Sequence, residues 1–273
     1  MALPYCLEFA YNILIAKERQ MAKTIVITGA SSGLGAALAK CYAQPDTVLG
    51  LIGRDTLRLN TIASECKLLG ANVITATIDV TEADRLGEWL KEFDKTHPVD
   101  LIIANAGISA GTGNSTETIE QIKSIFEVNL NGVINTLYPL IKPMQKRRYG
   151  HMAIISSIAG FRGSPTAPAY STSKAAVRIY GQALHGLLNQ NGITVSVVCP
   201  GFIKTPMTDV NPFPMPLIMD ADKAARLIKK GLDKHKTTII LPWIMGVIAR
   251  LQNLLPDQMV NKIYLKIPAK PPS

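Results

Sequence analysis

The sequence predicts an α/β protein built on a parallel, doubly wound sheet, and three observations carry that prediction. Short β-rich runs alternate with longer helical stretches from Thr24 onward, the strands are apolar throughout, and a glycine-rich turn follows the first of them. A strand without polar alternation is buried on both faces, so helices must cover the sheet from both sides.

Residues 24–28 form the first apolar strand, 34–42 an Ala- and Leu-rich helix, and 47–53 the second strand. Helix 56–69, strand 72–79, helix 82–95 and strand 99–104 follow. The order βαβαβαβ specifies a parallel doubly wound sheet. Further strands are legible at 151–156 and 194–199, each after a long helical pattern, and 237–241 closes the sheet. Residues 202–219 carry Pro206, Pro212, Pro214 and Pro216, which exclude a regular element and predict a long loop.

A chain of 273 residues with 47% hydrophobic and 18% charged residues has enough apolar material for one α/β domain, a composition that argues against disorder. The predicted organisation is an N-terminal extension at 1–20, a catalytic domain at 21–241 with a lid loop at 202–222, and a C-terminal amphipathic extension at 242–273. Cys6, Cys41, Cys66 and Cys199 lie far apart, without a CxxC pair or metal-ligand spacing to the four histidines. They read as small buried hydrophobes in a reducing compartment, with no metal site.

The formal charge of +9 is uneven: residues 201–273 hold 11 Lys and Arg against 5 Asp and Glu. Such a surplus suits an anionic membrane surface, an acidic carrier or an anionic substrate. No nucleic-acid motif accompanies it, so nucleic acid is not an expected partner. In the first 20 residues Glu8 interrupts the apolar stretch, and Lys17 and Arg19 follow it, the wrong layout for a secretory signal. Leu3, Leu7, Ala10 and Leu14 recur at helical spacing. Met21, directly before the first strand, is an alternative start. The expected location is cytoplasmic.

Between the first strand and its helix lies Thr28-Gly29-Ala30-Ser31-Ser32-Gly33-Leu34-Gly35. Glycine lets the backbone approach a pyrophosphate, and the helix N-terminus offers free N–H groups and a positive dipole end. Gly29 permits the tight exit from the strand, Gly33 the close approach and Gly35 the packing of helix on sheet. In position and chemistry this is a Rossmann-type phosphate turn, spaced TGxxxGxG.

That spacing resembles the short-chain dehydrogenase/reductase family in its single-domain form, and the resemblance covers residues 23 to roughly 241. At the end of the second strand an acidic residue would hold the ribose hydroxyls of NAD, but here Gly53 takes that place with Arg54 beside it. A guanidinium suits a 2'-phosphate, so NADP(H) is the preferred cofactor, with NAD(H) as the alternative in which Asp55 discriminates. The resemblance places Asp79 and Val80 against the adenine, and Asn105-Ala106-Gly107 along the cofactor and the fourth strand.

Tyr170 and Lys174 form YxxxK, which puts both side chains on one face of a helix. A phenol is a weak base at neutral pH, and a neighbouring ammonium favours its ionised form. Alone the pair is a common accident. Ser157 just past a buried strand and Asn129 in Val128-Asn129-Leu130-Asn131-Gly132 complete the set in family order, although Ser157 as a strand-end cap and Asn129 as a structural bridge remain alternatives. The resemblance implies that Ser157 orients a substrate carbonyl and Tyr170 exchanges a proton with its oxygen. It implies that Lys174 holds ribose hydroxyls and biases the phenol toward phenolate, and that Asn129 anchors a water in the proton path.

Pro200-Gly201-Phe202-Ile203-Lys204-Thr205 resembles the family's PG motif, which implies cofactor contacts at Pro200, Gly201, Ile203 and Thr205. Phe213, Met215, Leu217, Ile218 and Met219 in the loop point to a lipophilic carbonyl or alcohol substrate, or to simple packing of the lid. The C-terminal part departs from the family's glycine- and aspartate-rich tail. Trp243, Ile244, Val247, Ile248, Leu251, Leu254 and Leu255 fall at near-helical spacing, over too short a run to cross a bilayer. Peripheral membrane contact at the cytoplasmic face, a dimer contact and a core-covering helix are three readings of this segment. A homodimer or higher homo-oligomer is expected, although the missing tail weakens the case for the usual tetramer. A cofactor-binding sensor without turnover and a sugar-nucleotide epimerase are the rival functions; the complete Ser157, Tyr170 and Lys174 set opposes the first, the chain length and turn spacing the second.

Overall fold

The computed structural model describes residues 23–113 and 115–266; the extension expected at 1–20, with Cys6, lies outside them. The elements run β1 (Thr24–Thr28), α1 (Gly33–Tyr42), β2 (Val48–Gly53), α2 (Thr56–Leu68), β3 (Asn72–Thr77), α3 (Ala83–Thr96), β4 (Leu101–Ala104) and α4 (Ile119–Phe126). A π-helical turn, Glu127–Asn131, joins α4 to α5 (Gly132–Arg147). β5 (Gly150–Ile155), a 3-10 turn (Ile158–Phe161), α6 (Pro168–Leu188) and β6 (Ile193–Pro200) follow. The chain continues through β7 (Ile203–Lys204), α7 (Pro206–Asp209), β8 (Met219–Asp220), α8 (Ala221–Leu232), β9 (Thr238–Leu241), α9 (Trp243–Gln252) and α10 (Asp257–Tyr264).

Seven strands form one sheet in the order β3-β2-β1-β4-β5-β6-β9, every pair parallel. Side chains of a strand alternate between faces, so the apolar runs feed two cores at once. Ile25 and Ile27 of β1 pack with Leu38 and Tyr42 of α1, Leu59 of α2 and Ile228 of α8. Val26, between them, joins the opposite core with Leu90 and Phe93 of α3, Leu137 and Leu140 of α5, and Val177 of α6. The expected Rossmann-type architecture is therefore present, with element ends differing by a few residues from the sequence pattern. Strand order reverses on either side of β1, and this switch point between β1 and β4 opens the crevice where such sheets bind ligands.

Two segments differ from expectation. Residues 202–219 contain short regular elements: β7 pairs in parallel with β8 through Ile203↔Met219 and Lys204↔Asp220, and α7 lies between them. Pro206 fits because it occupies the first turn of α7, where its missing N–H costs nothing. The C-terminal pattern resolves into two helices, α9 and α10, separated by a turn at Pro256. Cys66 and Cys199 are buried, and burial pushes both thiols up to about 11; Cys41 is only half-buried. None of the three has the lowered pKa of a reactive thiol.

Candidate active site

The glycine turn is forced by close backbone approach. Gly29 has φ +65°, and a Cβ there would stand 2.9 Å from Cα of Ala106; at Gly35 a Cβ would lie 2.1 Å from the carbonyl oxygen of Gly29. Asn105 locks this geometry from β4: its Nδ2 donates to the carbonyls of Thr28 at 2.9 Å and Gly29 at 3.3 Å. Thr28 Oγ1 in turn accepts the N–H groups of Asn105 and Ala106 at 3.1 and 3.2 Å. Ser32 stands at the N-cap of α1 without making a side-chain cap. The first-turn amides therefore keep their capacity for an anion. Ser31, Ser32, Gly33, Leu34 and Gly35 all line one cavity of ≈ 690 Å³.

At the end of β2, Arg54 Nη1 meets Asp79 Oδ2 at 3.3 Å, with the arginine mostly exposed. Asp79 also accepts the N–H and hydroxyl of Thr81 at 3.0 and 2.9 Å. Burial would raise its carboxyl, but these bonds and the Arg54 guanidinium outweigh burial and hold it below the usual carboxylate range. Asp55 caps α2, accepting from the Arg58 backbone N–H at 3.0 Å and from its Nε at 2.6 Å. Both Asp55 and the cavity-lining Arg58 are thus occupied with each other. Arg58 was not singled out by the sequence; only its place three residues after a cap could have flagged it.

Ser157, Tyr170 and Lys174 converge on the same cavity. Ser157 heads the 3-10 turn beyond β5; its Oγ accepts from Ala159 N–H at 3.1 Å and donates to the Pro200 carbonyl at 3.5 Å. Ser156 Oγ points the other way and donates to the backbone carbonyl of Lys174 at 2.7 Å, fastening β5 to α6. Lys174 is 5% exposed; its Nζ donates to the Ile155 carbonyl at 3.0 Å and lies 5.9 Å from the Tyr170 ring centroid. Burial lowers its pKa to about 8. Burial also pushes the Tyr170 phenol up, with nearby Ser157 acting the other way.

Asn129 is fully buried in the π-helical turn rather than in a regular helix. Its amide pairs with the backbone of Ile108 and donates to Ser173 Oγ at 3.1 Å. Val80, Asn105, Ala106, Gly107, Pro200, Gly201, Ile203 and Thr205 all line the cavity, as do Arg54 and Asp79. Of the lid hydrophobics expected to meet substrate, Phe213 lines it, with its ring edge-on to Phe202 at 6.1 Å. Met215, Leu217, Ile218 and Met219 do not; Leu217 and Ile218 turn to solvent and Met219 packs on the core.

The cavity has a wall that the motifs did not reveal: Met245, Ile248, Ala249 and Gln252 of α9 and Tyr264 of α10. Arg162, just after the 3-10 turn, fastens this wall. Its guanidinium donates to the carbonyls of Gln252 at 2.5 Å and Leu255 at 3.1 Å and pairs with Asp257. Phe161 beside it is flanked by Arg178 at 4.7 Å and Arg250 at 5.6 Å. The sequence signal was weak, since a single arginine outside any motif is ordinarily a solvated residue.

A doubly wound sheet with a glycine cradle at its switch point, and a hydroxyl, phenol and ammonium beside it, defines the class of dinucleotide-binding oxidoreductases. The chain belongs to the short chain dehydrogenase family, whose sequence model matches residues 23–212. It is 34% identical over 240 residues to an oxidoreductase of Myxococcus xanthus described as uncharacterized, covering 88% of this chain and 95% of that one. It is 30% identical to ketoacyl reductase HetN of Nostoc over 224 residues, 80% of this chain and 78% of the relative. A short-chain dehydrogenase from Sphingobium yanoikuyae, solved in complex with NADPH, shares the fold at TM-score 0.72 and 24% identity, covering 86% of this chain and 96% of that one.

Proposed function

We propose that this oxidoreductase interconverts a carbonyl and a secondary alcohol on a hydrophobic substrate, with NADP(H) as its preferred cofactor. The observation that carries the reading is the convergence of Ser157, Tyr170 and Lys174 on the wall of a cavity shared with the glycine turn.

The residues fit a dinucleotide. A Cβ at Gly29 or Gly35 would clash with the backbone of Ala106 or Gly29 and force the turn open, and the uncapped start of α1 supplies amides for a pyrophosphate. Arg54 would hold a 2'-phosphate, Asp79 and Val80 the adenine end, and Lys174 the ribose hydroxyls near the reacting centre. Asn105 to Gly107, with Pro200, Gly201, Ile203 and Thr205, would line the rest. The nicotinamide supplies or takes up the hydride when bound.

The chain's own groups handle the proton. Ser157 Oγ donates to the substrate oxygen and fixes its direction, while Tyr170 Oη delivers a proton to that oxygen as negative charge develops there. Phe213, Ile248 and Met245 make the substrate end apolar and keep water out.

NADPH and NADH titrations followed by a carbonyl panel test the reading. Tyr170→Phe should bind NADPH as the wild type does and lose about 10²-fold or more in turnover. Undiminished turnover of every accepted substrate by that variant excludes the mechanism.

A further inference from the structure

We propose that the outer face of α9 and α10 is a docking surface for an anionic lipid bilayer, with the cavity opening behind it. In Trp243–Gln252 the one charged residue is Arg250. One side of this helix is already used, since Met245, Ile248, Ala249 and Gln252 line the cavity. The other side carries Trp243, Val247 and Leu251, which are 73%, 43% and 55% exposed and do not line it. Leu254 at 79% and Met259 at 55% continue the patch beyond the helix end. A helix apolar on nearly every side is ordinarily a buried helix, and a run of large exposed apolar side chains marks a surface that another phase or molecule covers.

Charge decides what covers it. Arg250, Lys262 and Lys266 are exposed along these helices, and residues 201–273 carry 11 basic against 5 acidic residues. A second copy seated symmetrically on this face would oppose those cations with the same cations. The acidic residue available on the two helices, Asp257, is already held by Arg162. Phosphate and carboxylate headgroups have no such conflict, and a tryptophan with basic neighbours suits the level of the headgroups. With 10 and 8 residues, α9 and α10 are far short of the ~20 needed to span hydrocarbon, so the helices lie on the surface. No described helix is long and apolar enough to cross a membrane.

Arg162 and the Phe161 stack fix both helices to the turn that follows Ser157, so a docked helix pair keeps the catalytic wall in register. The lid, which also walls the cavity, shows apolar groups to solvent as well: Val210, Leu217 and Ile218, just outside wall residues Asn211 and Pro216 in the chain. A cavity bordered by such surfaces can receive a lipophilic molecule from the lipid phase; this use, unlike the docking itself, rests on the carbonyl-reductase reading.

The full chain should sediment with vesicles of phosphatidylcholine containing phosphatidylserine, far less with phosphatidylcholine alone, and be released by high salt. Of the two tryptophans, Trp89 stacks on Phe93 and is half-buried, so a vesicle-induced blue shift should come from Trp243 and vanish in Trp243→Phe. The double variant Trp243→Glu/Leu251→Glu should bind the mixed vesicles at least about tenfold more weakly with an unchanged thermal melt. Leu254→Glu, at a more exposed position, serves if the double variant folds poorly. Wild-type chain that ignores the mixed vesicles, or variants that bind them as well as wild type, overturns the proposal. So does light scattering that shows a wild-type dimer dissociating in the variants, since a second copy would then own the face. None of these readouts depends on turnover, so failure of the reductase reading leaves the docking test intact.

Discussion

Asn129 and Ile108 are joined through both polar edges of one amide. The Ile108 N–H donates to Asn129 Oδ1 at 2.8 Å, and Asn129 Nδ2 donates to the Ile108 carbonyl at 2.9 Å. The second Nδ2 proton goes to Ser173 Oγ, which donates to the Tyr170 carbonyl at 2.8 Å. The loop after β4 is thereby tied to the helix that carries the phenol. Asn129→Leu strands both Ile108 groups and should destabilise the fold by about 2–4 kcal/mol, given 1–3 kcal/mol for each unsatisfied group. Urea denaturation measures this; a loss under 0.5 kcal/mol, within the range of ordinary surface substitutions, would show the pairing to be incidental.

Arg54 is free to leave Asp79 for a phosphate because their pair is solvated and therefore weak. Arg54→Ala should weaken NADPH about tenfold or more while leaving NADH within about twofold, the difference being one charge-assisted contact. Fluorescence titration of both cofactors checks it, and equal losses would remove Arg54 from phosphate recognition.

Lys174 should limit activity at alkaline pH. Burial brings its pKa to about 8, so the ammonium is present below that pH and is lost above it. The reductive kcat/KM should therefore decline above pH 8. Lys174→Arg, whose guanidinium stays charged, should be slower throughout but lack that limb. A wild-type profile flat to pH 9.5 would contradict the assignment.

His151 governs acid stability from the far end of the sheet. It is 6% exposed, bonded through Nε2 to Ser196 Oγ at 2.7 Å and stacked on His235 at 5.0 Å. Burial, with the nearby His235 and His185, lowers its pKa to about 3. An unfolded histidine binds its proton near pH 6.5, so the unfolded state holds more protons between about 6.5 and 3 and gains as pH falls. Stability should drop by up to about 1.4 kcal/mol per pH unit in that window from this group. His151→Asn should flatten the slope; parallel wild-type and variant curves would rule out His151 as its source.

The sheet was readable in the sequence because its strands are apolar on both faces and each is bounded by a turn or helix signal. Ser157, Tyr170 and Lys174 were readable because their spacing repeats a pattern, and their meeting at one cavity follows from lying at carboxyl ends of neighbouring strands or on the helix beside them. The upward push on the Tyr170 phenol was not readable, since it depends on how deeply that group is desolvated. Nor was Arg162, which acts on Asp257 from 95 residues away in the chain. The proline-rich segment concealed β7 and β8 because two-residue strands carry no periodicity; their pairing is a property of the fold around them.

That two-residue pairing has a further consequence. Ile203 and Lys204 sit in register with Met219 and Asp220, and Met219 N–H also donates to the Phe202 carbonyl at 3.0 Å. The chain enters and leaves residues 205–218 at a single clasped point, behind which Ile203 is anchored in the core. Changes in length or composition beyond the clasp should therefore leave the register of the seven strands intact. Grafting a foreign segment between Thr205 and Met219, which keeps Thr205 beside the glycine turn, should alter selectivity while leaving the seven strands in register.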